Sequence, residues 1–411
     1  MKYKSLIKWG IIIVAIYAVL LLLYYTTGIK LFLEMFQSMH TSFPILLIVA
    51  LGGLISERSG VTNIALEGIM IMGAFLGIWF VLGLEAYPYS NFTVFVIFLV
   101  SIMFAIALVL LTLFIIDIIR EKKQKEKFKV NLYIKAGIVL ALAVLMTLIL
   151  RGIQPQKYFI FLMAMMVGAG VGSVYAMIHA YAAVYLKSNQ IISATALNIF
   201  APAFSIFTSR FVRNSSNYNI RTNVRIAEVP VLSKIPVIGE LFFTNTYLTL
   251  YISLLLLGLV TIFLYKTKFG LRLRACGENP QAADSLGVNI YRTRFIAVTL
   301  SGTLAGMGGI LYVLPSKAYS TTVAGFGFLA LAVMIFGNWK PKGILYGALF
   351  FGFMRTLALY YREVPFLANL ELTSDIYNAI PFIATLVILA IFSKKSNVPR
   401  ALGQIYDQGK R

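Results

Sequence analysis

The stretch KFGLRLRACGENPQAADSLGVN (Lys268–Asn289) is polar, charged and punctuated by Gly and Pro, and it lies between two long apolar runs of the chain. Apolar runs of this length are typical of helices that cross a membrane. A connection between two such helices that carries its own helix start and stop signals predicts a docking element at the membrane surface. The contrast between this stretch and its apolar neighbours therefore indicates both the fold class and a functional hypothesis.

The composition places the chain among polytopic membrane proteins. Of its 411 residues 60% are hydrophobic and 12% are charged, and the mean hydropathy is +0.85. These values lie outside the range of soluble domains. We expect an all-α fold with about 10 to 12 membrane-spanning helices, in a single transmembrane domain over residues 1–411. The candidate spans are Ile7–Tyr25, Phe43–Ile55, Val61–Leu84, Phe92–Ile119, Leu132–Leu150, Phe159–Leu186, Ile191–Thr208, Tyr247–Tyr265, Arg294–Leu314, Gly325–Phe336, Gly343–Tyr361 and Tyr377–Phe392.

Two of these candidates, Phe43–Ile55 and Gly325–Phe336, are short for a full crossing, because a spanning helix needs about 20 residues. We expect broken or re-entrant pieces there, which a membrane tolerates where protein or water covers the backbone. Small residues such as Gly168 and Gly172 on one candidate span and Gly306 on another predict close packing between helices.

The basic residues of the chain indicate its orientation. The formal net charge is +21, and in a membrane protein such residues mark cytoplasmic loops and anionic lipid surfaces, so we expect membrane lipid and no nucleic acid as a partner. Basic clusters at residues 120–129, at 266–292 and in the C-terminal tail predict a multi-pass protein of the inner (cytoplasmic) membrane with both termini in the cytoplasm. The long connection 209–246 is then external, and it forms either a solvated loop or a basic surface for an acidic partner protein.

The polar stretch contains the signals of a short helix. Asn279 is a capping residue, Pro280 suits the first helical position, and Gly287 favours the left-handed conformation that ends a helix. A helix of about two turns follows. Its small and apolar side chains share one face at spacings of three and four, which predicts a narrow knob that enters a groove on another protein. That face consists of Ala282, Ala283 and Leu286, and the expected docking set adds Gly277 and Glu278.

At these residues the chain resembles the cytoplasmic loop of ABC-importer permease subunits that serve branched-chain amino acids, ribose-type sugars and nucleosides. The resemblance extends through SGTLAGMGGILYVL (Ser301–Leu314) and GFGFLALAVMIFGNWKPKGILYGALF (Gly325–Phe350). It implies a type II-like permease fold in which the loop is a coupling helix for an ATPase subunit. It also implies two permease subunits, two ATPase domains and an extracytoplasmic lipoprotein that delivers the substrate. We expect the second permease subunit to be a sister chain in a heterodimer, and a second copy of this chain is the alternative.

The chain lacks a GxxxxGK[ST] phosphate-binding loop, so we expect ATP to bind to the partner ATPase and this chain to carry no cofactor or metal of its own. We therefore expect a non-catalytic transport subunit. With two histidines and one cysteine, a membrane-embedded enzyme is a weak alternative. An ion-coupled secondary transporter is a further alternative, although such a protein would carry paired acidic residues in mid-helix.

A second segment, GGLISERSGVTNIALEGIMIMGAF (Gly52–Phe75), holds polar residues within an apolar stretch. Asn63 is placed to open a helix after a glycine break, and Glu67, four residues on, is expected on the same face. Either these residues line the substrate pathway, or Glu57 pairs with Arg58 while Glu67 caps a neighbouring helix. The segment resembles that of nucleoside importers, where a SERSGVxNIxLEG string recurs, and this favours a nucleoside over a ribose-type sugar or a branched-chain amino acid.

Three further polar residues within candidate spans have two interpretations each. The amide of Asn198 suits nucleobase edges and ribose hydroxyls, and Phe200 or Phe204 could stack on a base; the alternative is an interhelical hydrogen bond beside packed aromatic rings. His179 fits a packing role better than a proton relay. Arg355 is expected to face a cavity or a partner carboxylate, because a guanidinium exposed to lipid is costly.

Overall fold

A computed structural model describes residues 30–86, 155–221, 224–370, 372–392 and 397–407 of the chain. The candidate spans Ile7–Tyr25, Phe92–Ile119 and Leu132–Leu150 lie outside the described residues, as does the basic loop at 120–129.

The described part of the chain is built mainly from helices. The long ones are α1 (Lys30–Arg58), α2 (Leu66–Ala86), α3 (Pro155–Val184), α4 (Gln190–Arg213), α5 (Leu248–Lys266), α8 (Ile290–Ser316), α10 (Pro341–Leu359) and α12 (Ser374–Phe392). The shorter ones are α6 (Lys268–Glu278), α7 (Pro280–Ser285), α9 (Phe326–Phe336) and α11 (Pro365–Ala368). Seven of the described helices, α1 to α5, α8 and α10, are long and apolar enough to cross a membrane. The expected all-α polytopic membrane fold is therefore confirmed.

The first described helix differs from the short span expected at Phe43–Ile55. Helix α1 begins at Lys30 and continues through Pro44, so that expectation of a broken piece is wrong. Two of the polar residues that interrupt the apolar pattern before Pro44 have partners within the fold: Thr41 Oγ1 donates to the Ser38 carbonyl oxygen at 2.8 Å, and His40 Nδ1 lies 3.2 Å from Thr246 Oγ1, although His40 Nε2 has no partner among the described residues. A sequence window counts such residues as a break, whereas a helix tolerates them where its own carbonyls or a neighbouring segment supply partners.

Helix α9 is the short piece expected at Gly325–Phe336. Its 11 residues span about 16 Å at a rise of 1.5 Å per residue, about half the thickness of a hydrocarbon core of about 30 Å. The helix therefore begins at a depth where its first N–H groups need partners from the protein itself.

Helix α8 is central to the bundle and packs on α1, α2 and α3. A Cβ atom at Gly306 of α8 would overlap the carbonyl oxygen of Gly168 in α3, and one at Gly302 would overlap that of Gly172. The expected close packing through small residues is thus confirmed, because only a missing side chain lets these backbones approach so closely.

One end of the bundle carries the long connection expected at 209–246. Helix α4 continues to Arg213 and ends at Asn214, which adopts a left-handed conformation, so the connection begins later than expected. It is ordered into strands and lies against α1, where Gln37 Nε2 donates to the Glu240 carbonyl oxygen at 2.9 Å. The strands are β1 (Tyr218–Asn219), β2 (Arg225–Glu228) and β3 (Thr244–Tyr247), and β4 (Ala318–Tyr319) follows α8; β1 pairs with β4 and β2 with β3, both antiparallel.

Candidate functional site

The opposite end of the bundle carries the polar stretch, and its short helix has the expected start and stop. Asn279 Oδ1 accepts a hydrogen bond from the Ala282 N–H at 3.0 Å, and Pro280 occupies the first position of α7. Gly287 follows the helix with φ +79°, a left-handed conformation that glycine adopts without strain. The predicted helix is confirmed, while its role in coupling stays a prediction.

The face expected to dock a partner is split by the structure. Ala283 is only 3% exposed and packs with Cys276, Ile290 and Tyr406 inside the chain. Leu286 is 85% exposed, and Ala282 is exposed as well. The prediction that Ala282, Ala283 and Leu286 share one outward face is therefore wrong for Ala283. Its side chain packs inside the chain, whereas those of Ala282 and Leu286 are exposed.

A second helix, which the sequence reasoning missed, precedes α7. Helix α6 begins after Thr267, whose hydroxyl oxygen accepts from the Gly270 N–H at 3.0 Å. Its buried residues, among them Leu273 and Cys276, recur at helical spacing. The signal in the sequence is a capping threonine followed by apolar residues at helical spacing. The basic residues Arg272 and Arg274, which lie between those apolar residues, hide it because they are also typical of a loop at the membrane surface. We call α6 and α7 together (Lys268–Ser285) the coupling element.

The coupling element is fastened to the end of α1. Arg58 Nη1 lies 3.6 Å from Glu278 Oε1, and a Cβ atom at Gly277 would overlap the Arg58 carbonyl oxygen. Arg58 also donates two hydrogen bonds to the Trp339 carbonyl oxygen, at 2.7 and 3.1 Å. The Trp339 indole N–H donates in turn to Glu57 Oε2 at 2.6 Å. The alternative in which Glu57 pairs with Arg58 is therefore wrong, since Arg58 binds Glu278 and the Trp339 carbonyl oxygen, whereas Glu57 accepts from the Trp339 indole.

Arg294, which the sequence reasoning did not select, joins three segments at this end. Its guanidinium donates to the carbonyl oxygens of Ser59 at 3.1 Å, Gln404 at 2.9 Å and Cys276 at 3.4 Å. The residue is only 3% exposed, so these carbonyls replace the water that a buried charge would lose. Arg294 thus ties the coupling element to the residues that follow α1.

Those residues, Ser59–Ala65, are not helical and separate α1 from α2; we call them the hinge segment. Asn63 Nδ2 donates to Ser301 Oγ in α8 at 3.0 Å, and Asn63 Oδ1 accepts from the Ala65 N–H at 3.2 Å. Asn63 therefore helps to start α2, as expected. It lies before the helix, so the expected shared helical face with Glu67 is wrong.

Glu67 caps a neighbouring helix. Its Oε1 accepts from the Gly325 N–H at 2.9 Å, and its Oε2 accepts from the Gly327 N–H at 2.6 Å. These donors are at the start of α9, whose N-terminus attracts negative charge. A Cβ atom at Gly327 would meet the Glu67 backbone at 2.5 Å. Of the two hypotheses for Glu67, the structure favours the cap, and α2 and α9 meet at this carboxylate.

Asn198 and His179 also join elements. Asn198 Oδ1 accepts from the Gly68 N–H at 2.8 Å, and its Nδ2 donates to the Ile64 carbonyl oxygen at 2.9 Å. These bonds favour the packing interpretation of Asn198 over direct contact with substrate. His179 is buried, with its ring nitrogens 2.9 Å from Ser193 Oγ and 3.0 Å from the Thr62 carbonyl oxygen. The packing role expected for His179 is confirmed.

Phe204 belongs to a group of aromatic rings near the end of the bundle that carries the long connection. We call this group the external aromatic cluster, after the orientation expected from the sequence. It consists of Phe75, Trp79, Phe204, Tyr218 and Tyr319, whose ring centroids lie 4.9–6.4 Å from at least one other member. Phe204 also stacks on Phe200 at 5.6 Å. The sequence marked Phe200 and Phe204 as stacking candidates but did not place the other rings beside them, because these come from separate parts of the chain.

Three buried polar atoms at this cluster have no hydrogen-bond partner among the residues that the structure describes. They are Trp79 Nε1, the Tyr218 hydroxyl and, on α4, Ser209 Oγ. Only Tyr319 is satisfied, with its hydroxyl 2.9 Å from Ser205 Oγ. Unpaired buried polar groups are rare in proteins, and the described residues contain four more, at His40, Ser188, Thr249 and Arg274. What distinguishes this cluster is that its unpaired donors lie beside aromatic rings.

Arg355 lines a cavity, as the sequence predicted. The cavity has a volume of about 270 Å³, and Tyr312, Phe326 and Ser42 are among its lining residues. The guanidinium carbon lies 5.4 Å from the centroid of the Phe326 ring, a distance at which the ring face attracts a cation.

Comparison with known proteins identifies the family. Residues 35–123 and 129–390 match the family described as branched-chain amino acid transport system / permease component. The nucleoside ABC transporter permease protein NupC of Lactococcus lactis is 33% identical over 367 residues, which cover 89% of this chain and 94% of that protein. The guanosine ABC transporter permease protein NupQ of Bacillus subtilis is 30% identical over 370 residues, with the same 89% and 94% coverage.

A more distant similarity extends to the putative glucose ABC transporter permease protein TsgC13 of Haloferax volcanii, which is 30% identical over 271 residues covering 59% of this chain and 80% of that protein. No solved structure matches the chain significantly. The chain belongs to the branched-chain amino acid transport system permease family, and it is a membrane-embedded permease of the ABC transporter class.

Proposed function

We propose that this chain is the non-catalytic permease subunit of an ATP-driven nucleoside importer. An ATPase subunit binds its coupling element, a second permease subunit completes the pathway, and an extracytoplasmic lipoprotein delivers the substrate. The similarity to the nucleoside and guanosine permeases supports the substrate class. The observation that carries the proposal is the set of contacts that joins the coupling element to the hinge segment.

The orientation follows from charge. The coupling element carries Lys268, Arg272 and Arg274, and Lys266 ends helix α5 just before it; basic residues next to membrane helices face the cytoplasm. The C-terminal segment 397–407 lies at the same end, because the Ala401 N–H donates to the Gly277 carbonyl oxygen at 2.8 Å. The β2–β3 end of the bundle is then external.

Force from the ATPase subunit has a continuous route into the membrane. A displacement of α6 acts on Arg58 through Glu278 and on Ser59 through Arg294. The hinge segment passes it to α2, and Glu67 passes it to the start of α9. The links are an ion pair, hydrogen bonds and the chain itself, which together connect the helices through the hinge segment, the kind of connection through which hinge motions act. Alternate opening of the pathway to the two sides follows from movement at the hinge segment.

The external aromatic cluster supplies the chemistry that a nucleoside needs. A base stacks on aromatic faces, and its polar edge and ribose hydroxyls would satisfy the free donors of Trp79 and Tyr218. Helix α4 continues this surface with the exposed rings of Phe207 and Phe211, which stack at 6.0 Å.

Uptake competition tests the substrate class. Cells that express the chain with its partner subunits are given labelled guanosine together with an excess of unlabelled uridine, adenosine, ribose or leucine. We expect unlabelled nucleosides to reduce the uptake and ribose and leucine to leave it unchanged. Loss of uptake in the presence of leucine or ribose, with no effect of nucleosides, would instead assign the chain to the amino acid or sugar branch of the family.

A further inference from the structure

The C-terminal segment 397–407 crosses the cytoplasmic end of the bundle as a strap. Its backbone bonds to three separate places: the Asn397 N–H donates to Asn338 Oδ1 at 2.6 Å, the Ala401 N–H to the Gly277 carbonyl at 2.8 Å, and the Gly403 N–H to the Gly60 carbonyl at 3.0 Å. These acceptors belong to the turn after α9, the coupling element and the hinge segment. The strap therefore holds together the parts that must move as a unit.

Side chains at the end of the strap fix it to the coupling element. Tyr406 is 8% exposed and packs with Cys276, Ala283 and Ile290, and its ring lies 5.6 Å from that of Tyr291. Beyond it, Asp407 accepts from Lys187 Nζ at 2.8 Å. The strap is thus part of the folded cytoplasmic face.

A cleft of about 390 Å³ lies between the strap and the start of α7. One wall is the α6–α7 junction, and the other is the strap. Ile405, on the strap wall, is 51% exposed although it is apolar, and Leu286 is exposed on the α7 side. The lining residues include Glu278, Asn279, Gln281, Arg400, Gln404 and Ile405.

The lining favours a protein over a lipid surface. The lining carries Arg400 beside Glu278 and Asp407, and these two carboxylates are paired with Arg58 and Lys187, so the cleft offers no concentrated positive charge to the anionic lipids of a cytoplasmic leaflet. An apolar residue within a polar, mixed-charge rim is the composition of a protein–protein contact. The cleft is also continuous with α7, to which the proposed function assigns the ATPase subunit.

We infer that the strap and the α6–α7 junction form one composite docking surface, in which the cleft receives side chains of the same ATPase subunit that binds α7. This inference rests on the proposed function. It adds that the C-terminal strap contacts the ATPase directly and, through Gly60 and Gly277, moves together with the hinge segment.

Single-cysteine cross-linking tests the inference in the assembled transporter. Cys276 is the only native cysteine; it is buried, and burial raises the pKa of its thiol, so it gives little background because the thiolate is the reactive form. The variants are Ile405→Cys on the strap, Leu286→Cys on α7, and Ser215→Cys, an exposed position in the external connection. Each is treated with a cysteine-to-amine cross-linker, and the products are identified by mass spectrometry.

We expect Leu286→Cys and Ile405→Cys to link to the ATPase subunit and Ser215→Cys not to do so. Linkage of Leu286→Cys alone overturns the composite surface and leaves the proposed function intact. Failure of both, in a complex that still contains the ATPase, contradicts docking at the coupling element itself.

A binding measurement distinguishes direct contact between the strap and the ATPase subunit from a purely structural role of the strap. Ile405→Asp keeps the backbone contacts of the strap, and we expect it to weaken retention of the ATPase subunit on the purified permease roughly tenfold, as loss of an apolar anchor in an interface does. The matched control is Val398→Asp, which is 40% exposed on the strap but lies outside the cleft. Equal ATPase retention by Ile405→Asp and wild type would overturn the inference.

Discussion

Two groups of buried polar side chains, one near each end of the bundle, are satisfied to different degrees. At the end that carries the coupling element, Arg294 has three carbonyl partners, and Arg58 and Trp339 are bonded in series. At the end that carries the long connection, Trp79 and Tyr218 bury donors that have no partner among the described residues. A satisfied network is rigid and transmits displacement, whereas unsatisfied donors favour a ligand that completes them. We therefore propose force transmission for the first group and ligand contact for the second.

The largest effect is expected from removing the centre of the rigid end. Arg294→Met leaves the carbonyls of Ser59, Cys276 and Gln404 without a donor, and we expect the transporter to lose about 3 kcal/mol or more of unfolding free energy. Thermal unfolding of the purified complex measures it. The control is Arg292→Met, at an exposed position on the same helix. Equal midpoints for the two variants would show that Arg294 is not the joint described above.

The carboxylate that joins α2 to α9 is expected to have an intermediate effect. Glu67→Gln keeps one acceptor oxygen but turns an amide group towards an N–H of Gly325 or Gly327, so we expect a loss of about 1–2 kcal/mol in stability. Uptake should fall with it, because α9 loses its connection to the hinge segment. Glu363→Gln, at an exposed position, is the control and should behave as wild type. A Glu67→Gln protein with normal stability but altered substrate selectivity would restore the pathway hypothesis.

A smaller effect on stability is expected at Leu286, the exposed residue that ends α7. The same change should strongly affect the coupling of ATP hydrolysis to transport. Leu286 contacts solvent in the single chain, so Leu286→Asp should change the unfolding free energy by no more than about 0.5 kcal/mol. We expect the ATPase activity of the complex to lose its dependence on substrate, while membrane insertion stays normal. Leu286→Met serves as the conservative control. Substrate-stimulated ATP hydrolysis at the wild-type level in Leu286→Asp would remove α7 from the docking surface.

The smallest effect on folding is expected at the external aromatic cluster, and its sign is diagnostic. Tyr218→Phe removes a buried hydroxyl that has no partner, so stability should stay constant or rise by up to about 1 kcal/mol. Transport should nevertheless weaken, with a higher KM for nucleoside, because the hydroxyl is lost as a ligand contact. Tyr319→Phe is the comparison, since its hydroxyl is bonded to Ser205 and its loss should destabilise the fold. Unchanged uptake kinetics in Tyr218→Phe would return the cluster to ordinary core packing.

Local signals in the sequence predicted local structure well. The cap at Asn279 and the stop at Gly287 correctly marked α7, and the small residues on α3 and α8 correctly indicated close packing. The two hypotheses for Glu67 included the one that the structure favours. In each case the information lies within a few residues, where capping, backbone conformation and helical periodicity act.

What the sequence missed depends on partners distant in the chain. Nothing near Arg294 indicates that Gln404 and Ser59 supply its acceptors, and nothing near Ala283 indicates that Tyr406 covers it. The span predicted at Phe43–Ile55 is shorter than helix α1 because polar residues such as His40 interrupt the apolar pattern. The sequence does not show that Thr246 lies beside His40 in the fold. These outcomes are set by tertiary contacts, which composition and periodicity do not contain.

The central claim is that this permease moves a nucleoside only when an ATPase subunit acts on its coupling element. Uptake of labelled guanosine into vesicles reconstituted with the permease subunits and the binding lipoprotein, with and without the ATPase subunit, tests it directly. We predict accumulation that requires both the ATPase and ATP hydrolysis and that persists when ion gradients are dissipated. Accumulation at full rate without the ATPase, or driven by an ion gradient alone, would contradict the account and favour a secondary transporter.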